Sequence, residues 1–129
     1  MCVVTSKNNN LPLIYVCSKY SGDTASNTES AKRYSRFVVE QSAIPFAPHL
    51  LLPLYMCEES ERELAMLMDM VFIEKCDELW VFGEDVSEGM RREIAKAEEI
   101  HKRIRFFDNA CNEANTHLEF QPERIQEDH

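Results

Sequence analysis

At 129 residues the chain holds one ordinary domain, since domains usually run to about 100–200 residues. Apolar residues make up 44% and charged residues 29%, which supplies a single core, spans no bilayer and is too apolar for a disordered chain. The formal net charge of −9 argues against a nucleic-acid polymer as partner, because that binding depends on clustered Lys and Arg displacing counterions.

The elements follow in alternation. Residues 1–10 read as an N-terminal extension, with no basic lead-in or long apolar stretch of a signal peptide, which predicts a cytoplasmic protein with no membrane partner. Leu11 to Cys17 is a short β-branched and aromatic run bounded by polar residues, a buried strand. Ser26-x-x-Glu29 forms a possible capping box before Ala31, Tyr34, Phe37, Val38 and Gln41 at helical spacing. Ile44 to Ala47 reads as a second strand cut short by prolines, and Leu50 to Tyr55 as an apolar loop. Ser60-x-x-Glu63 opens a second predicted helix that runs to about Lys75, and Glu78 to Phe82 is the third strand. Either Asp85 or Ser87 caps a third helix, with Met90, Ile94, Ala97 and His101 on one face. Arg103 to Phe107 supplies a fourth strand, Asn109 to Glu119 a last helix, and residues 120–129 a polar tail.

Continuous apolar strands alternating with helices imply a parallel sheet covered on both faces. The predicted fold is therefore an α/β class, small doubly wound sandwich, flavodoxin- or Rossmann-like, with a four- to five-stranded parallel sheet over residues 11–119. Such sheets bind ligands beyond the carboxyl ends of their strands. The three glycines, Gly22, Gly83 and Gly89, all fall after predicted strands, at that edge. They cannot compose a G-x-G-x-x-G fingerprint or a P-loop. Five cysteines without a C-x-x-C pair and four dispersed histidines predict reduced thiols, no metal site and no cofactor.

Two carboxylates stand out. Asp69 is the lone polar residue of Leu64 to Ile73, among Ala65, Met66, Phe72 and Ile73 at helical spacing. A carboxylate so placed is hydrogen-bonded, protonated or facing a wet cavity, and a structural cap remains an alternative. Glu93 adjoins the packing stripe of the third helix and points toward the crevice near Gly89, or else pairs with Arg92, Lys96 or Arg103 at the surface. Paired carboxylates beside one crevice are the equipment for glycosidic-bond chemistry.

Ile14-Tyr15-Val16-Cys17-Ser18, the loop Ser18-Lys19-Tyr20-Ser21-Gly22-Asp23, Pro48-His49-Leu50, the Asp69 to Asp77 segment and Ser87-Glu88-Gly89-Met90-Arg91-Arg92-Glu93 resemble the nucleoside 2-deoxyribosyltransferase superfamily, over about residues 13–107. The likeness is to its short bacterial and phage branch. The resemblance implies Glu93 as the nucleophile at the anomeric carbon, Asp69 as the group assisting the nucleobase, and Tyr15 as the residue orienting Glu93. It makes Ser18, Tyr20, Gly22, Asp23, His49, Ser87, Gly89 and Met90 candidate substrate contacts. Ser87 takes the position six before the Glu that is Ser in the deoxynucleoside 5′-monophosphate N-hydrolases, where it meets phosphate. A phosphate at a helix N-terminus is physically sensible there.

The expected function is cleavage or transfer of the N-glycosidic bond of a 2′-deoxynucleoside or its 5′-monophosphate. Non-catalytic binding of a nucleotide or nucleotide-derived signal is the alternative. The apolar run Leu50 to Met56 and the Met-rich second helix exceed the needs of one small core. They predict a homodimer or higher homo-oligomer with that helix, or the loop before it, in the interface; a lid within a monomer is the other possibility.

Overall fold

The computed structural model describes residues 10–57 and 59–114. Strand β1 (Leu13–Cys17) leads to helix α1 (Thr24–Glu40), strand β2 (Ile44–Phe46), the short helix α2 (Pro48–Leu51) and a 3₁₀ turn at Leu52–Leu54. Helix α3 (Arg62–Lys75), strand β3 (Glu78–Phe82), helix α4 (Glu88–Glu99) and strand β4 (Arg103–Phe107) complete it. All strand pairings in the four-stranded sheet are parallel, in the order β2-β1-β3-β4. In the central register Tyr15 lies opposite Leu79, and Leu79 opposite Ile104. This is the small doubly wound sandwich expected from the alternation of elements.

The two-residue period of each strand divides its side chains between two cores. Tyr15, Cys17, Leu79 and Val81 pack with Ile73 of α3 and with Met90, Ile94 and Ala97 of α4. Ile14, Val16, Trp80 and Phe82 pack with Tyr34 and Val38 of α1 and with Phe107. The chain steps outward in opposite directions from β1 and from β3, so their carboxyl ends flank the crevice where such folds take ligands. Among the described residues no helix is long and apolar enough to cross a membrane.

Several boundaries differ from expectation, each for a local reason. Asp23, not Ser26, caps α1: its Oδ1 accepts from the Ser26 N–H at 3.1 Å. Asp23→Ala should therefore cost about 1 kcal/mol, read as a lower urea midpoint with an unchanged slope; an unaltered midpoint would refute the cap's contribution. Ser60 does not open α3. Glu61 precedes it without a side-chain cap, its Oε1 instead accepting from the Cys57 N–H at 2.8 Å. Ser87 rather than Asp85 caps α4, its Oγ accepting from the Met90 N–H at 3.2 Å. His101 lies beyond that helix, exposed, with φ of 60°, and leaves the stripe it was expected to join.

The Leu50 to Tyr55 stretch is α2 and the 3₁₀ turn rather than an irregular loop. The helix expected from Asn109 does not form over 109–114. Asp108 Oδ1 accepts from the Ala110 and Asn112 N–H groups, both at 2.9 Å, and Cys111 takes φ of 66°. A carboxylate that satisfies local N–H groups in this way offers the backbone an alternative to helix, and Glu113 then bridges Phe107. The remainder of that expected helix, the 120–129 tail and residues 1–9 of the extension lie outside the described residues.

Candidate functional site

A cleft of about 100 Å³ opens at the carboxyl ends of β1 and β3, between α3 and α4 and beneath the segment after α2. Its floor is charged. Glu93, in the second turn of α4, is 2% exposed, and Asp69, in the second turn of α3, is 5% exposed. Tyr15, fully buried in the middle of β1, donates its O–H to Glu93 Oε2 at 2.9 Å. Glu93 Oε1, Asp69 Oδ1 and the buried Ser18 Oγ have no hydrogen-bond partner within the described chain, and all three residues line the cleft. Buried polar atoms are nearly always satisfied, so three convergent unsatisfied oxygens mark a place for ligand or water.

Burial without a countercharge sets the protonation. The Glu93 carboxyl is held above the usual carboxylate range by burial first and then by the charge of Asp69, against a smaller opposing pull from Tyr15. Burial likewise raises Asp69, partly offset by hydrogen bonding with Glu93 and Tyr15. Two like charges this close cannot both ionise cheaply, so the pair retains a proton near neutrality. Burial also pushes the Tyr15 phenol and the Cys17 thiol well up, with Glu93 adding to both. Tyr15 is thus a permanent donor, and the Cys17 thiol, 4.0 Å from the Met90 carbonyl, stays neutral.

His49 holds the first loop. Its Nε2 lies 3.0 Å from the Ser18 carbonyl, which can only accept, so Nε2 carries the proton and Nδ1 is an acceptor. Burial pushes this imidazole down to about 4, and its ring stacks on Tyr20 with centroids 4.9 Å apart. Opposite, Ser87, Gly89 and Met90 bring the N-terminal end of α4 into the wall, where the helix dipole favours an anion. A Cβ at Gly89 would touch Met66 Cε at 3.6 Å, so that wall is already close-packed.

The structure therefore gathers Asp69, Glu93, Ser18, Tyr20, His49, Ser87, Gly89 and Met90 around one cleft, with Tyr15 behind Glu93. The surface pairing of Glu93 is ruled out by its burial. Gly22 and Asp23 are not in the lining. The Asp23 carboxylate is committed to capping α1, and Gly22 is exposed at φ of 97°, serving the turn between β1 and α1. Gly83, at φ of 112°, belongs to a second crevice at the same sheet edge, with Lys19, Arg33, Tyr34 and Asp85 around it.

Arg62 escaped the sequence reading. It lines the cleft together with Ala65, Met66 and Asp69, positions that fall at i, i+3, i+4 and i+7 on one face of α3. Counting back two turns from Asp69 would have found it. Leu52, Pro53 and Met56 also line the cleft, so the apolar run partly closes over it, while Leu54 and Tyr55 remain 75% and 69% exposed.

No curated protein matches the chain. Residues 12–107 match a domain of unknown function, DUF7768. That span begins just before β1, ends with β4 and encloses every residue placed in the cleft. The chain belongs to the DUF7768 family.

Proposed function

We propose that the cleft takes a 2′-deoxynucleoside or its 5′-monophosphate and breaks or transfers the N-glycosidic bond. The observation that carries this reading is the buried trio of Tyr15, Glu93 and Asp69 facing open space. It also accords with the resemblance to the nucleoside 2-deoxyribosyltransferases. One retained proton gives the two carboxylates different roles. With the proton on Asp69, the anion on Glu93 is steadied by the Tyr15 O–H. Glu93 Oε1 then attacks C1′ as the C1′–N bond breaks through an oxocarbenium-like transition state. Asp69 delivers its proton to the departing base. Water attacking the glycosyl ester completes hydrolysis; a second base completes transfer. Ser18 and Ser87 line the cleft with hydroxyls suited to sugar or phosphate, and Arg62 and the α4 N-terminus favour an anionic group. The four described cysteines are free thiols, in keeping with a reducing compartment such as the cytoplasm.

A second reading has its own support. The same burial that brings Glu93 to C1′ also favours its protonated form, which donates to a hydroxyl and cannot attack. On this reading the cleft binds a nucleotide or nucleotide-derived signal without turnover. Chromatography of a deoxynucleoside and deoxynucleoside 5′-monophosphate panel, incubated with the protein with and without an acceptor base, decides between them. Free or exchanged base is the expected result. Intact ligand recovered throughout would overturn catalysis and leave binding.

A further inference from the structure

On the α1 side of the sheet, the second crevice holds about 320 Å³, more than the cleft, between α1, the turn after β3 and the turn after β4. Small-molecule sites begin at about 300 Å³. Its floor is Gly83, whose φ of 112° and missing side chain leave the Cα bare. A Cβ built there would stand 3.9 Å from each of three oxygens: Tyr34 Oη, Asn109 Oδ1 and the Asp85 carbonyl. Tyr34 is 5% exposed. Its ring stacks on Phe82 and lies under the Arg33 guanidinium at 5.0 Å, but its hydroxyl has no hydrogen-bond partner among the described residues. A polar group so deeply buried is nearly always satisfied, and this one borders the crevice. The rim is charged. Arg33 donates to the Asn109 carbonyl and to Ser30 Oγ, yet in a chain of net charge −9 it has no carboxylate partner among the described residues. Lys19 also lines the crevice, 3.7 Å from the exposed Asp85 carboxylate, and Glu84 is the other acid there.

We propose that this second crevice binds a small polyhydroxylated phosphomonoester, a sugar phosphate. The phosphoryl group meets Arg33 and Lys19 at the rim, where charge-assisted hydrogen bonds are strongest, and takes the place of Asp85 beside Lys19. The hydroxyls both donate and accept, so they suit the floor, where Tyr34 donates while Asn109 Oδ1 and the Asp85 carbonyl accept. Inorganic phosphate would leave the floor unanswered, and a neutral sugar would leave Arg33 unanswered. Glu84 and Asp85 exclude a highly charged anion by repulsion. The crevice and the cleft lie on opposite faces of the sheet and share one loop: Ser18, Tyr20 and Ser21 line the cleft, Lys19 the crevice. The site stands whichever reaction the cleft performs.

Amide NMR of the full chain titrated with ribose 5-phosphate tests the proposal and reports the position directly. Saturating shifts are expected at Ser30, Gly83 and Asn109, at concentrations about 10-fold or more below those needed for inorganic phosphate or ribose. Arg33→Ala should weaken binding about 10-fold or more, and Tyr34→Phe about 5-fold. Because the Tyr34 hydroxyl has no partner in the free chain, Tyr34→Phe should leave the urea midpoint unchanged or higher, which separates lost affinity from lost folding. Arg62→Ala, in the cleft, should leave these shifts as they are. No saturable shift at Gly83 up to about 10 mM, equal binding of inorganic phosphate, or an affinity indifferent to both Arg33→Ala and Tyr34→Phe would each overturn the proposal. Shifts confined to Asp69, Gly89 and Met90 would place the ligand in the cleft and overturn it as well. None of these readouts depends on base release, so loss of the catalytic reading leaves this one standing.

Discussion

Glu93→Gln should reduce base release by about 10³-fold or more while making the folded chain more stable above neutral pH. The amide keeps the shape and an oxygen that can accept from Tyr15, but it cannot form the glycosyl ester, and losing a nucleophile removes most of the rate. The stability gain follows from the raised carboxyls. A carboxyl whose pKa is higher in the folded than in the unfolded state keeps its proton in the fold after the unfolded chain has released it. Stability then falls as pH rises above the ordinary values of 3.8 and 4.5 for Asp69 and Glu93. Each retained proton costs about 1.4 kcal/mol per pH unit across that interval. His49 works in the opposite sense. Its pKa is depressed from 6.5 to about 4, so it adds stability as pH rises to about 6.5 and nothing beyond. Two carboxyls outweigh one imidazole, so the wild type should be most stable near pH 4, lose stability from about pH 4.5 and lose it more steeply from about pH 6.5, until the carboxyls ionise at about 7 and 8. The margin of Glu93→Gln over wild type should be small at pH 5 and about 1–3 kcal/mol at pH 8, measured by thermal or urea denaturation at both values. A margin that stays constant or shrinks with pH would show that Glu93 does not hold a proton in the fold.

Phe82→Ala should remove about 3–5 kcal/mol of stability, enough to leave a substantial unfolded fraction in a small domain. Phe82 is 1% exposed at the carboxyl end of β3. It stacks on Tyr34 with centroids 4.5 Å apart and on Phe107 at 5.0 Å, with Phe37 edge-on at 6.1 Å. Truncation leaves these three rings facing a void on the side of the sheet covered by α1, and a rigid sheet cannot collapse to fill it. Phe82→Leu, which retains most of the apolar volume, should cost clearly less. The two variants, compared by urea midpoint, separate volume from aromatic geometry. Equal, small losses for both would mean that this face of the sheet is loosely packed. Any residual folded Phe82→Ala protein should keep Glu93 in place, because Tyr15, which holds it, packs in the other core.

The strands and their parallel sense were legible in the sequence because buried strands of a doubly wound sheet carry uninterrupted apolar side chains, as Ile14 to Cys17 and Leu79 to Phe82 do. Asp69 was legible because a single carboxylate among methionines is anomalous in any fold, and the structure places it in the cleft wall. Glu93 was legible as a carboxylate adjoining the packing stripe of the third helix, while Tyr15, His49 and the phosphate role of Ser87 came from likeness of motif. Tertiary structure decided what side chains do with competing partners. Asp23 was expected as a substrate contact and Ser26 as the cap of the first helix, but a separation of only three residues brings the Ser26 N–H to the Asp23 carboxylate. Arg62 was unremarkable until the pitch of α3 put it two turns from Asp69 on one face. The apolar circumference of α3 predicted burial on most sides, yet one small sheet has room to cover only part of it, and Leu64, Leu67 and Val71 stay outside. Composition and period fix which residues seek the core. The distance between Tyr15 and Glu93, 78 residues apart in sequence and joined by one hydrogen bond of 2.9 Å, depends on how β1 and α4 pack, and that is a property of the whole fold.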